Sequence, residues 1–273
     1  MDHDATLATY DRQMRREARP DGPGTRVERV GPVVRQTGPE HAWNGVLWSA
    51  LDGLDGAGVD AVVAEQIRHY TASGSTFEWK AYGHDAPADL PERLRAAGFV
   101  PDEEEAVMVA EATRLSADVV LPDGVELVSV TDEAGVRLVT EVHDRAFGGD
   151  SSHIGRQLLD RLAAEPDTVA AVVATAGGEP VSAARLELIP GTDFAGLWGG
   201  GTVEAWRGRG LYRALVAHRT RIAAARGYRF VHVDAAPMSR PILRRLGFTA
   251  LTTTTPYVYG PRTPGGDGPP GPP

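Results

Sequence analysis

The chain has 273 residues, 42% of them hydrophobic, and a net charge of −9. That length leaves room for two domains with sizeable cores, and the acidic balance argues against a general nucleic-acid binder while mildly favouring cationic partners such as amines. Cysteine is absent, which excludes disulfides, a thiol nucleophile and cysteine-based metal sites; no signal peptide or bilayer-spanning run is present, so a soluble cytoplasmic protein with no membrane partner is expected.

Residues 4–18 form a polar, Arg-rich segment with helical character, ended by Pro20 and the Asp21-Gly22-Pro23-Gly24 breaker. Thr25 to Gln36 alternates and predicts one or two strands, and Trp43 to Leu51 predicts another. Gly58 to Ala72 has a helical period through Val59, Val62, Val63, Ile67 and Tyr70. Phe77 to Tyr82 is strand-like, Leu90 to Ala97 a short helix stopped by Gly98-Phe99, and Ala106 to Ala110 a strand. Glu111 to Pro122 is the expected linker.

The second half opens with a strand at Val125 to Val130 and an amphipathic helix over residues 132–147. A helix capped by Ser151 or Ser152 continues to about Ala164. Thr168 to Thr175 and Pro180 to Leu188 predict a hairpin turning at Gly177-Gly178. Phe194 to Val203 predicts a strand, Leu211 to Arg226 a long helix, and Arg229 to Ala235 a further strand. A short helix follows, stopped by Gly247-Phe248, and residues 249–260 supply one or two last strands. Residues 261–273, rich in Pro and Gly, have too little apolar surface to fold and are expected to be a disordered tail.

The most informative stretch is WRGRGLYRALV, from Trp206 to Val216. A strand, an Arg/Gly turn and a helix start together make an anion grip, because the first amides of a helix lack partners and its dipole is positive there. Gly208 and Gly210 let a ligand approach the backbone, and Arg207 and Arg209 carry forked donors suited to a pyrophosphate. No metal site stands out: His143 and His153 are isolated and no close histidine pair exists.

The spacing Arg207-x-x-Gly210-x-Tyr212, followed by strand, short helix, Gly-Phe and strand, resembles the acyl-CoA signature of the GCN5-related N-acetyltransferase (GNAT) superfamily. Tyr212 departs from the small residue usual at the last position. The first half echoes the same order through GSTFEWKAY, RAAGF and EAVMVAE, but its turn, LDGLDGAG, is acidic. The expected fold is therefore α+β, a mixed, mostly antiparallel central sheet flanked by helices, with two GNAT-like units in tandem. Residues 1–115 would be a shortened, degenerate unit and residues 123–260 the acyl-CoA-binding unit.

The resemblance implies an N-acetyltransferase that takes acetyl-CoA as co-substrate and a small-molecule amine as partner, with a homodimer left open. It implies contacts to the acyl carrier from Thr202, Val203, Arg207, Gly208, Arg209, Gly210, Leu211 and Tyr212. The Tyr that many relatives carry four residues before the Gly-Phe stop is Leu243 here, and the Asn seen further upstream is Ala236. An alkyl thiol has a pKa of about 8.5, so thiolate departs tolerably without an acid; Tyr257, Tyr259 or Tyr212 are the substitutes considered. Glu187, His232 and Asp234 are the polar residues on central strands from which a base would come, each with a structural alternative, such as a Glu187–Arg185 salt bridge. A non-catalytic acyl-CoA sensor or scaffold, or a protein acetyltransferase, remain the alternatives.

Overall fold

The computed structural model describes residues 1–39, 41–116 and 118–260; the expected tail at 261–273 lies outside them. Helix α1 (His3–Tyr10) runs into one π-helical stretch, Asp11–Arg16. Then come β1 (Arg26–Val30), β2 (Val33–Thr37), β3 (Gly45–Ser49), α2 (Gly56–Ala72), β4 (Phe77–Tyr82), α3 (Leu90–Ala96), β5 (Val100–Pro101) and β6 (Glu105–Glu111). The second half contributes β7 (Val125–Val130), α4 (Glu133–Phe147), α5 (Ser152–Ala164), β8 (Val169–Ala176), β9 (Glu179–Leu188) and β10 (Phe194–Thr202). It ends with α6 (Leu211–Ala225), β11 (Phe230–Ala235), α7 (Arg240–Leu246) and β12 (Thr249–Tyr259). The predicted elements are all present. Ser151 does stand at the N-cap of α5, but its side chain makes no capping bond there.

The repeat read from the sequence has a structural basis at the two Gly-Phe stops. Gly98 and Gly247 close α3 and α7 with φ of +98° and +102°, a conformation that only glycine adopts cheaply. In both stops the Phe amide reaches back to a leucine carbonyl at 3.0 Å, Phe99 to Leu94 and Phe248 to Leu243. All four of these side chains are buried, so each stop also nails its helix onto the sheet.

The strands make one mixed sheet in the order β1-β2-β3-β4-β12-β6-β11-β10-β9-β8-β7, with β5 paired to β12. Its centre interleaves the two units. The last strand of the second unit, β12, lies antiparallel between β4 and β6 of the first, and β6 lies antiparallel between β12 and β11. Each unit thus hands its final strand to the other. On one face α2 and α3 cover Val33, Val46, Phe77 and Trp79, while α6 and α7 cover Leu186, Leu197 and Val231. On the other face α4 and α5 cover Val169, Val173 and Ala183, and α1 lays Tyr10 over the central strands. Trp43 and Trp79 are both core residues, 1% exposed. No helix among the described residues is long and apolar enough to cross a membrane.

Alternating strands from both units in one ladder should couple their unfolding. Urea titrations followed by tryptophan fluorescence and by far-ultraviolet circular dichroism are expected to give one coincident transition. Two separated transitions would contradict the coupling.

Candidate functional site: a strand split beside an uncapped helix

Strands β10 and β11 run parallel and pair only through Phe194–Phe230, Ala195–Val231 and Gly196–His232. Beyond Gly196 they part. The sequence builds this split with three successive glycines. The register of β10 against β9 slips between Trp198 and Gly201, and Gly199 takes φ +57°. A Cβ on Gly201 would stand 3.0 Å from the Phe147 ring. His143 on α4 donates from Nε2 to the Gly199 carbonyl at 2.9 Å, and Ser182 Oγ donates to the Gly201 carbonyl at 2.7 Å. Burial lowers the pKa of His143, so the ring is a neutral brace.

The split opens toward the start of α6. Gly208 and Gly210 have φ of +75° and +88°, and Gly210 is the N-cap with no side chain to offer the helix. The first-turn amides of Leu211, Tyr212 and Arg213 are therefore left to an external acceptor. The buried Leu211 side chain anchors the turn beside Val203 and Val181. The equivalent place in the first unit is filled. There β3 and β4 also pair in parallel over two positions, but α2 is capped by Asp55, whose Oδ1 accepts from the Gly58 amide at 2.8 Å. A carboxylate from the chain itself occupies the anion position.

Several expected contacts shift once the backbone is seen. The Val203 amide is committed to the Val181 carbonyl at 3.0 Å and its side chain is buried, so Val203 offers no donor to a ligand. Amides alternate in direction along a strand; the Thr202 amide accordingly points away from β9, toward the split. Arg207 is exposed, yet its Nε donates to the Thr202 carbonyl at 3.1 Å and an Nη to the Ala146 carbonyl at 2.8 Å. It braces the turn against the end of α4. The Arg209 guanidinium lies 4.7 Å from the centre of the Trp206 ring. Tyr212 stands at the mouth of the split, where a Cβ on Gly200 would lie 3.6 Å from its ring.

The candidate base residues all prove to be buried. His232 is fully enclosed, with the rings of Tyr10 and Trp198 edge-on at 5.5 and 5.8 Å, and neither ring nitrogen has a hydrogen-bond partner among the described residues. Asp234 pairs with Lys80, which reaches from β4 across β12 and β6. Asp234 Oδ1 and Trp198 Nε1 are likewise unbonded. Such groups cost about 1–3 kcal/mol each when left unpaired, which makes this a place for water or a ligand. Glu187 is held between Arg161 and Arg185, at 2.9 and 2.8 Å. Tyr257 is a correction: on the opposite face, it packs in the first unit's core against Trp79, with Arg95 over its ring, and is not brought to the split.

Lys80, Tyr10 and Asp21 were not among the residues singled out from the sequence. A signal existed for Lys80: in FEWKAY, Glu78 and Lys80 recur at the two-residue period of one strand face. Tyr10 and Asp21 reach the centre only because α1 and its following loop fold over the second unit, where Gln13 donates to Asp193 Oδ2 at 3.1 Å.

Burial in this low-dielectric centre pushes the His232 imidazole down to about 4, below the ordinary 6.5. The unfolded chain therefore binds the proton first, and the wild type should lose stability as pH falls from about 6.5 toward 4. Through this one group the loss amounts to roughly 2 kcal/mol between pH 6.5 and 4.5. His232→Leu lacks that sensitivity, so the stability of wild type relative to variant should drop by that amount in urea titrations across the window. A pH-independent difference would contradict it.

Residues 137–248 match the acetyltransferase (GNAT) family model. Among solved structures, a GCN5-related N-acetyltransferase from Kribbella flavida aligns over 96% of this chain and 95% of its own, at 20% identity and a TM-score of 0.67. A GCN5-related N-acetyltransferase from Sphaerobacter thermophilus aligns over 85% and 82%, at 18% identity and 0.60. A tandem GNAT protein from the clavulanic acid biosynthesis pathway aligns over 90% and 87%, at 15% identity and 0.59. No curated protein sequence is similar enough to match. The family match thus covers the part of the chain that bears the split, and the fold shared along nearly the whole length is the GNAT fold, as two GNAT-like units in tandem.

Proposed function

We propose that the chain is an N-acetyltransferase that moves an acetyl group from acetyl-CoA to the amine of a small molecule, by direct attack on the thioester. Residues 123–260 would be the acyl-CoA-binding unit and residues 1–115 the degenerate one. The observation that carries this reading is the uncapped start of α6 opening onto the β10–β11 split. In this reading the amides of Leu211, Tyr212 and Arg213 hold the diphosphate, with Gly208 and Gly210 giving it access and Arg209 adding charge. Arg207 keeps the turn in place. The Thr202 amide and the freed backbone at Gly199 and Gly200 line the path of the acyl arm, where an N–H donor polarises the thioester carbonyl.

The surroundings of the split suit this chemistry. His232 stays neutral and Asp234 is matched by Lys80, so the enclosed floor adds no uncompensated charge beside a reacting carbonyl. A second reading, an acyl-CoA sensor without turnover, is favoured by Tyr212 at the mouth and by the fully buried Leu243 in the core, where relatives carry a phenol.

Acetyl-CoA at millimolar concentration is expected to raise the melting temperature, and the double variant Arg207→Ala, Arg209→Ala to weaken that shift about tenfold in ligand concentration. Absence of any shift in the wild type would remove the reading. Release of free CoA in the presence of an amine panel separates the enzyme from the sensor, which binds and does not turn over.

A further inference from the structure

We propose that the crevice between the two units is the acceptor site, and that it takes a compact molecule bearing a primary ammonium group, held between Asp21 of the first unit and Glu187 of the second. This deepens the acetyltransferase reading and rests on it. Two hollows open to solvent meet at Asp21 and Arg161, which line both. One runs over Trp43 and His41 to Gln157 on α5; the other runs over Tyr82 and Lys80 to Ile189. Each hollow therefore takes lining residues from both units.

The crevice adjoins the split. Glu187 stands directly across the β9–β10 ladder from Gly196, the last residue of β10 that pairs with β11, and Arg185 stands across from Trp198. A ligand lying on Glu187 is one strand away from the point where the acyl arm would end. Behind the hollows, and not lining them, lie the unbonded Trp198 Nε1, Asp234 Oδ1 and both nitrogens of the fully buried His232.

Charge selects the ligand. Two of the arginines that line the first hollow are engaged: Arg161 pairs with Glu187 and donates to Thr168, and Arg185 donates to Glu187; Arg19 lines the second hollow. Asp21 faces Glu187 across the space, and Asp160 stands at the rim with His41. The groups acting on Asp21 are Gln36, Glu187, Arg161 and Thr25, with Arg185, Asp160, His41, Glu165, Arg19 and Lys80 on the surrounding walls. Burial and the neighbouring Glu187 raise the Asp21 carboxyl, which brings it closer to the strength a base needs near neutral pH.

In the reaction, the bound ammonium gives one proton to the Asp21 carboxylate. The freed nitrogen bonds to the thioester carbonyl carbon, and the carbon–sulfur bond breaks. The thiolate leaves and takes up the second nitrogen proton to become free CoA, while Asp21 returns its proton to solvent.

The test uses the full chain with tyramine, agmatine and glucosamine as probes and tyrosol as the uncharged control. At least one of the three amines is expected to raise the melting temperature of the wild type, and tyrosol is not. Asp21→Asn should weaken that amine's binding roughly tenfold or more and leave acetyl-CoA binding unchanged, while Asp21→Glu restores the amine. In turnover, the acid limb of kcat/KM should lie above the ordinary aspartate range and vanish in Asp21→Asn. Equal binding of tyrosol and tyramine, an unaltered Asp21→Asn, or no binding by any of the three amines would overturn the assignment. Failure of acetyl-CoA to bind the same samples is read separately and would overturn the acetyltransferase reading instead.

Discussion

The parallel ladder between β10 and β11 stops after three residue pairs, and the site depends on that stop. A continuous ladder would use every backbone donor along β10 within the sheet. The stop follows from covalent geometry. Three glycines in a row allow a bulge that a chain of β-branched residues would resist, and one of them sits at a positive φ. Once the strands part, the next segment turns into a helix whose cap residue is itself a glycine. Backbone groups left open on β10 and at the start of α6 then face one space, and nothing in that arrangement requires a particular side chain.

The first unit shows how little separates a grip from a closed turn. It keeps the parallel pair, the helix and the Gly-Phe stop, but Asp55 satisfies the amide that an anion would need. One carboxylate at a cap is enough to change the function of a helix start, because it cancels the dipole and fills the hydrogen bonds at once. What the first unit contributes instead is enclosure: Lys80, Tyr10 and Asp21 wall in a centre whose other half comes from the second unit.

Much of the fold was legible because apolar periods and glycine punctuation mark each element, and the repeated Gly-Phe stops mark the duplication. The Arg/Gly turn was legible for the same reason: its backbone geometry is written in its glycines. Side-chain roles were less so. Arg207 reads as a phosphate ligand, yet its donors go to the carbonyls of Thr202 and Ala146, partners distant in sequence or set by a bend. Val203, just past the end of β10, and Tyr257 on β12 are apolar or aromatic residues, and only the sheet order decides which edge or face they meet. The Lys80–Asp234 pair joins residues 154 positions apart across two intervening strands, and a single sequence offers no means of matching them.

The exchange of final strands also has a consequence for synthesis. When the first 115 residues have left the ribosome, β4 and β6 are made but β12, which must lie between them, is not. The nascent chain then carries two hydrophobic edge strands with open hydrogen-bonding groups until nearly the whole polypeptide has emerged. Protection of those edges during translation, by a chaperone or by slow compaction of α1 over the gap, becomes a requirement that the finished molecule no longer displays.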